Sequence, residues 1–176
     1  MDKENFALES FKNTQELVRF LDQKAAAILV VYGFILTAFI EFSKGLSFVS
    51  LYQLSDFKVH FLSVLAFLSG LALITILLYQ FYFIMFKVIK PRYAKYYSKK
   101  ERSLFYFEHI SKREKGKFFK EHEDLSENKI LNEILGQVYE VSKITNEKTE
   151  QLSKTITFLY VSILVLLLFI LFSRFV

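Results

Sequence analysis

Three stretches of this chain hold their apolar residues in long runs rather than in alternation. Val59 to Phe86 contains no Asp, Glu, Lys or Arg, and as a helix rising 1.5 Å per residue it is long enough to cross the roughly 30 Å of bilayer hydrocarbon with tilt. A segment in lipid must satisfy its backbone N–H and C=O groups internally, so it is a helix or part of a closed barrel. The two other runs, Ala25 to Phe42 and Ile156 to Phe172, do not alternate with period two either. The pattern therefore predicts an all-α integral membrane protein with three transmembrane helices, over 25–42, 59–87 and 155–173. An amphipathic helix over 1–24 precedes them, an external loop over 43–58 joins the first two, and a helical cytosolic segment over 88–154 joins the last two.

The N-terminal helix sets Phe6, Leu8, Phe11, Leu17, Val18, Phe20 and Leu21 among Lys3, Glu9, Lys12, Glu16 and Arg19, and no proline or glycine separates it from the first span. The chain enters the membrane just after Asp22 and Lys24. Arg19 and Asp22, three residues apart, share a helical face on which they can pair, and Lys24 can snorkel toward lipid phosphate. In the first span Gly33, Thr37 and Glu41 recur every fourth residue, which puts them on one face. Two roles fit that face: packing against another helix, or the wall of a pore with Glu41 at its far mouth. Ser63, Ala66 and Gly70 give the second span a small-residue side that permits close approach. Fourteen of the residues from Ile156 to Phe172 are Leu, Ile, Val or Phe, worth about −4 to −8 kcal/mol toward insertion at the bilayer centre. So uniform a helix is expected to face lipid.

Composition sharpens this layout. A mean hydropathy of +0.29 with 23% charged residues fits membrane spans joined to a charged part. Lys87, Lys90, Arg92, Lys95, Lys99, Lys100 and Arg102 crowd the end of the second span. Positive residues near span ends stay in the cytoplasm, which places 1–24 and 88–154 inside and the C-terminus outside. Pro91, the sole proline, marks where the second helix stops or bends. Met1 to Glu9 is polar, without the basic and then apolar regions of a cleavable signal peptide.

Candidate chemistry is sparse. There is no cysteine, hence no disulfide, thiol nucleophile or cysteine zinc site, and His60, His109 and His122 form no metal-ligand spacing. No phosphate-cradling glycine loop, nucleophile elbow or catalytic carboxylate pair stands out. The expected class is a non-enzyme without metal or cofactor. Leu104, Phe105, Phe107 and Ile110 are expected to pack a small core, ahead of the charge-dense stretch Lys112 to Asp124. From Glu127, Ile130, Leu131, Ile134, Leu135, Val138, Val141, Ile144 and Leu152 keep a helical period that runs into the last span.

Three stretches resemble the small transmembrane effectors of the Pycsar antiphage system. Arg19-Phe20-Leu21-Asp22-Gln23-Lys24-Ala25-Ala26 is similar to the family's Asp-x-Lys-Ala segment before the first span. Leu104-Phe105-Tyr106-Phe107-Glu108-His109-Ile110 looks like its aromatic motif ending in Ile, with Glu108-His109 departing from the small and polar residues expected there. Gln137-Val138-Tyr139-Glu140-Val141-Ser142-Lys143-Ile144, with Lys148 beyond, resembles the helix before the last span. Together they cover nearly the whole chain.

The resemblance implies a protein of the bacterial inner membrane that answers a cyclic nucleotide, cyclic CMP or cyclic UMP, by oligomerising and permeabilising that membrane. The nucleotide is then an activating ligand rather than a cofactor, and the partners are the bilayer and further copies of the chain, with no nucleic acid polymer. Arg102, Phe105, Phe107, His109 and Arg113 are the residues able to hold a phosphate and stack a base. Arg19, Asp22 and Lys24 would set membrane insertion and helix pairing. Two other functions compete: a non-toxic scaffold that binds a partner through its cytosolic helix, and a small constitutive channel.

Overall fold

The computed structural model describes residues 2–46, 57–92 and 103–174. Among them every regular element is helical: α1 over Lys3–Ser43, α2 over Phe57–Phe83 with a π-helical continuation over Ile84–Ile89, α3 over Phe107–Ser111, α4 over Lys115–Glu123 and α5 over Glu127–Ser173. α1 carries one glycine, Gly33, and α5 carries one, Gly136. Neither contains proline, so nothing interrupts their hydrogen-bond ladders. The π segment ends two residues before Pro91, which steers its predecessor away from helical geometry. The chain forms two compact units, a polar one of residues 1–22 with 90–150 and a membrane one of residues 23–89 with 151–176. Lys3–Ser43, Phe57–Ile89 and Glu127–Ser173 are each long and apolar enough to cross a membrane. Most of the expected loop over 43–58, and Lys95, Lys99, Lys100 and Arg102, lie outside the described residues.

In the membrane unit the buried positions ahead of the π segment advance by alternate steps of three and four, with one double step of seven in α5. They include Ala25, Ile28, Tyr32 and Ile35 in α1, Ala66, Gly70, Leu73, Leu77 and Gln80 in α2, and Leu152, Thr155, Ser162, Leu166 and Phe169 in α5. That is the 3.5-residue period of left-handed helix packing. Phe39 and Phe169 stand 4.7 Å apart between ring centroids, and Gly70 lies against both: a Cβ there would come within 3.3 Å of each ring. At another level Tyr79 meets Phe158 edge-on at 6.1 Å, and Tyr32 Oη donates to the carbonyl of Thr155 at 3.4 Å. Going from Phe39 to Tyr32 and from Phe169 to Phe158 takes α2 from Gly70 to Tyr79, so α2 runs antiparallel to the other two helices.

α5 therefore does more than face lipid. Thr155 and Ser162 are fully buried, while Tyr160, Leu164 and Leu167 point outward. A helix apolar all round gives hydropathy no direction, and the spacing of its few hydroxyls marks the packed side.

In the polar unit the charge-dense stretch contains a helix, α4, over Lys115–Glu123, within the segment expected to be helical. One further difference from expectation lies beside it. Among the aromatics Tyr106 is buried, whereas Phe105 and Phe107 are exposed.

Candidate functional site

The buried side of α5 within the polar unit is unusually polar. Gln137, Glu140, Thr145 and Lys148 are buried beside Ile134, at positions where an apolar stripe would be cheaper. Three connections account for Gln137 and Lys148 and for the segments they hold.

The first centres on Ser103. Its Oγ donates to Glu133 Oε2 at 2.7 Å and accepts from Gln137 Nε2 at 3.0 Å. It also accepts from the backbone N–H groups of Phe105 at 3.1 Å and Tyr106 at 3.2 Å. A serine bonding the N–H groups two and three residues on is a local turn motif that competes with helix, which explains why the chain bends here before α3 begins. Glu133 Oε2 accepts a second bond, from the backbone N–H of Leu104 at 3.0 Å. The N–H of Ser103 donates to His109 Nδ1 at 3.1 Å; accepting there leaves the ring's proton on Nε2.

Tyr106 makes the second connection. Its ring packs on Phe107 at 5.1 Å and His109 at 5.5 Å, and its hydroxyl donates to the carbonyl of Arg92 at 3.1 Å. The Arg92 guanidinium donates in turn to Glu147 of α5. The third connection joins the ends of the unit: Lys148 Nζ donates to Asp22 Oδ1 at 2.6 Å, across 126 positions of sequence.

Several cations of this unit are thus paired with carboxylates at short range. Arg113, whose side chain is almost buried, lies 3.0 Å from Glu121, and Lys112 pairs with Glu108 at 2.6 Å. An anion arriving at one of these pairs would exchange with its carboxylate. Such exchange suits a switch better than a constitutive binding site, because each anion bound releases an internal contact.

A family model described as the Pycsar effector protein domain matches residues 6–174. The chain belongs to this family. No match was found among curated proteins or among solved structures. As a Pycsar effector domain the chain is a membrane effector of antiphage defence, residing in a membrane, and the family is not known as an enzyme class.

Within this effector domain the sequence-predicted residues are placed as follows. Phe105 and Phe107 present exposed rings, His109 is half-buried and bonded to Ser103, and Arg113 sits by Glu121. Phe107 and His109 meet through Tyr106; Arg102 lies outside the described residues. Asp22 faces Lys148, while Arg19 and Lys24 are exposed. Gly33, Thr37 and Glu41 are exposed, with Thr37 Oγ1 bonded to the carbonyl of Gly33 at 2.9 Å and Glu41 paired with Lys44 at 2.7 Å. Ala66 and Gly70 are buried and Ser63 is partly so. Sequence reasoning missed Ser103, Tyr106, Glu133 and the role of Lys148 as partner of Asp22. The signal that finds the α5 residues is a polar side chain at a heptad position, with Gln137, Thr145 and Lys148 interrupting the apolar stripe.

Proposed function

We propose that this effector is gated by a cyclic nucleotide, cyclic CMP or cyclic UMP, which binds the polar unit from the cytosol and drives subunits to assemble and permeabilise the inner membrane. The reading rests on one observation: α1 and α5 each belong to both units, and inside the polar unit they are pinned by the ion pair of Asp22 and Lys148. A change in how the polar unit holds its cations is then carried along two unbroken helices. The exposed rings of Phe105 and Phe107 are suited to stack a base, and the Arg113 guanidinium to take the cyclic phosphate in exchange for Glu121. Three spans enclose too little space for a wide pore, so the conducting form contains several copies.

The test is dye release from liposomes carrying the purified full chain, with cyclic nucleotides added one at a time. Release by cyclic CMP or cyclic UMP, lost in Arg113→Ala and in a Phe105→Ala, Phe107→Ala double variant that still inserts, is the expected result. Silence of correctly inserted protein toward every nucleotide refutes the reading and favours a scaffold. Release without any nucleotide identifies a constitutive channel.

A further inference from the structure

Among the described residues of the membrane unit, one buried polar side chain is not answered by its surroundings. Gln80 is 0% exposed, and neither its amide nitrogen nor its amide oxygen has a hydrogen-bond partner among the described residues. Two buried hydroxyls of α5 in the same unit are provided for. Thr155 Oγ1 donates to the carbonyl of Gln151 at 3.1 Å, and Ser162 Oγ to that of Phe158 at 2.9 Å. A lone amide shut inside a membrane bundle destabilises the arrangement that encloses it.

One turn beyond Gln80, α2 widens into the π-helical stretch Ile84–Ile89. Counting by sevens explains the position. Ala66, Leu73 and Gln80 form one buried row of α2, and the next member of that row is Lys87. The extra residue of the π turn leaves Lys87 exposed and puts Val88, 0% exposed, in its place. Reverting the turn to α-helix rotates the residues beyond it by about 100°, one residue's worth of helix. Lys87 would then follow Gln80 into the interior, about 10 Å further along the axis.

We propose that this π turn is the gate of the membrane unit. Its conversion to α-helix brings Lys87 into the row of Gln80, and the two side chains, with Thr155 and Ser162 of α5, form a hydrated and positively charged path that passes anions. The closed form is held by Val88 and the apolar rows around it, and the unanswered amide of Gln80 biases it toward opening. The proposal rests on the permeabilising reading above.

It is tested with the full chain in liposomes, by following chloride and potassium release separately, with and without cyclic CMP or cyclic UMP, and by measuring thermal midpoints of the same proteins. Wild type is expected to release chloride first. Lys87→Glu should reverse that order, and Lys87→Gln, which keeps the length and drops the charge, should abolish the preference if the glutamate variant does not insert. Gln80→Leu should slow release by about tenfold or more and raise the midpoint by about 2–8 °C. An ion preference unmoved by both Lys87 variants overturns the proposal, as does a Gln80→Leu midpoint that is unchanged or lower. If wild type is silent under every condition, the permeabilising reading fails and the gate fails with it. A raised Gln80→Leu midpoint would then still support the buried, unanswered amide, and an unraised one would overturn that too.

Discussion

Asp22 and Lys148 are buried to very different degrees, and the difference makes a directional prediction. The lysine side chain is 5% exposed and the aspartate 40%. Asp22→Ala strands an ammonium away from water, since the 2.6 Å bond to Asp22 Oδ1 is its only hydrogen bond among the described residues. Lys148→Met leaves a carboxylate that water still reaches and keeps most of the buried stem. Removing one partner of a fully buried pair costs about 3–5 kcal/mol, and exposed pairs are worth about 0.2–1 kcal/mol. With the carboxylate partly solvated, Asp22→Ala falls between, at about 2 kcal/mol, and Lys148→Met near 0.5 kcal/mol at roughly the exposed-pair level. For a chain of this length that is a fall in thermal midpoint of about 4–8 °C against about 1–2 °C. The assay is thermal unfolding of the full chain in nanodiscs, with the double variant included to measure the coupling. The double variant should regain most of what Asp22→Ala loses, because the stranded charge is gone. A Lys148→Met protein as unstable as Asp22→Ala would refute the reasoning. In cells, Asp22→Ala should insert normally yet lose toxicity; full toxicity at normal expression would separate the pair from effector function.

Three other changes have outcomes set by local geometry. Gly70→Leu should destabilise the membrane unit by about 1–3 kcal/mol through overpacking, because even a Cβ meets Phe39 and Phe169 at 3.3 Å; Gly33→Ala, with nothing within 4 Å of its Cβ, should leave nanodisc unfolding unchanged or slightly improved. Ser103→Ala removes the shared partner of Glu133, Gln137 and two backbone N–H groups, at about 1–3 kcal/mol for the groups left unsatisfied, and should speed amide exchange at Phe105 and Tyr106 more than in α4. Tyr106→Phe keeps the ring and loses the bond to the carbonyl of Arg92 at 3.1 Å, a loss that should cost about 0.5–1.5 kcal/mol in the same unfolding assay.

The three membrane-crossing helices were legible because hydrocarbon imposes length and composition together, and Val59 to Phe86 meets both without a charge. The polar unit was less legible because its organisation depends on pairings that no spacing reveals. Arg19 lies three residues from Asp22 and looks like its partner, but the carboxylate bonds a lysine 126 positions away. Hydrophobicity also misranked the aromatics between Leu104 and Ile110. Tyr106 is the least apolar of that group and the one buried, because its hydroxyl reaches the carbonyl of Arg92 while Ser103 fixes the turn that points its ring inward. Lys87 shows the same limit inside the membrane. Composition places it at the end of the second span, as a topology signal. Only the row of Ala66, Leu73 and Gln80 reveals that an unbroken α-helix would bury it, and that one extra residue in a π turn keeps its charge outside the packed interior. A register that must be broken to keep a charge out is a register that can be restored to let it in, which is why the end of α2, rather than the apolar middle of the spans, is where a change of state in this effector would begin.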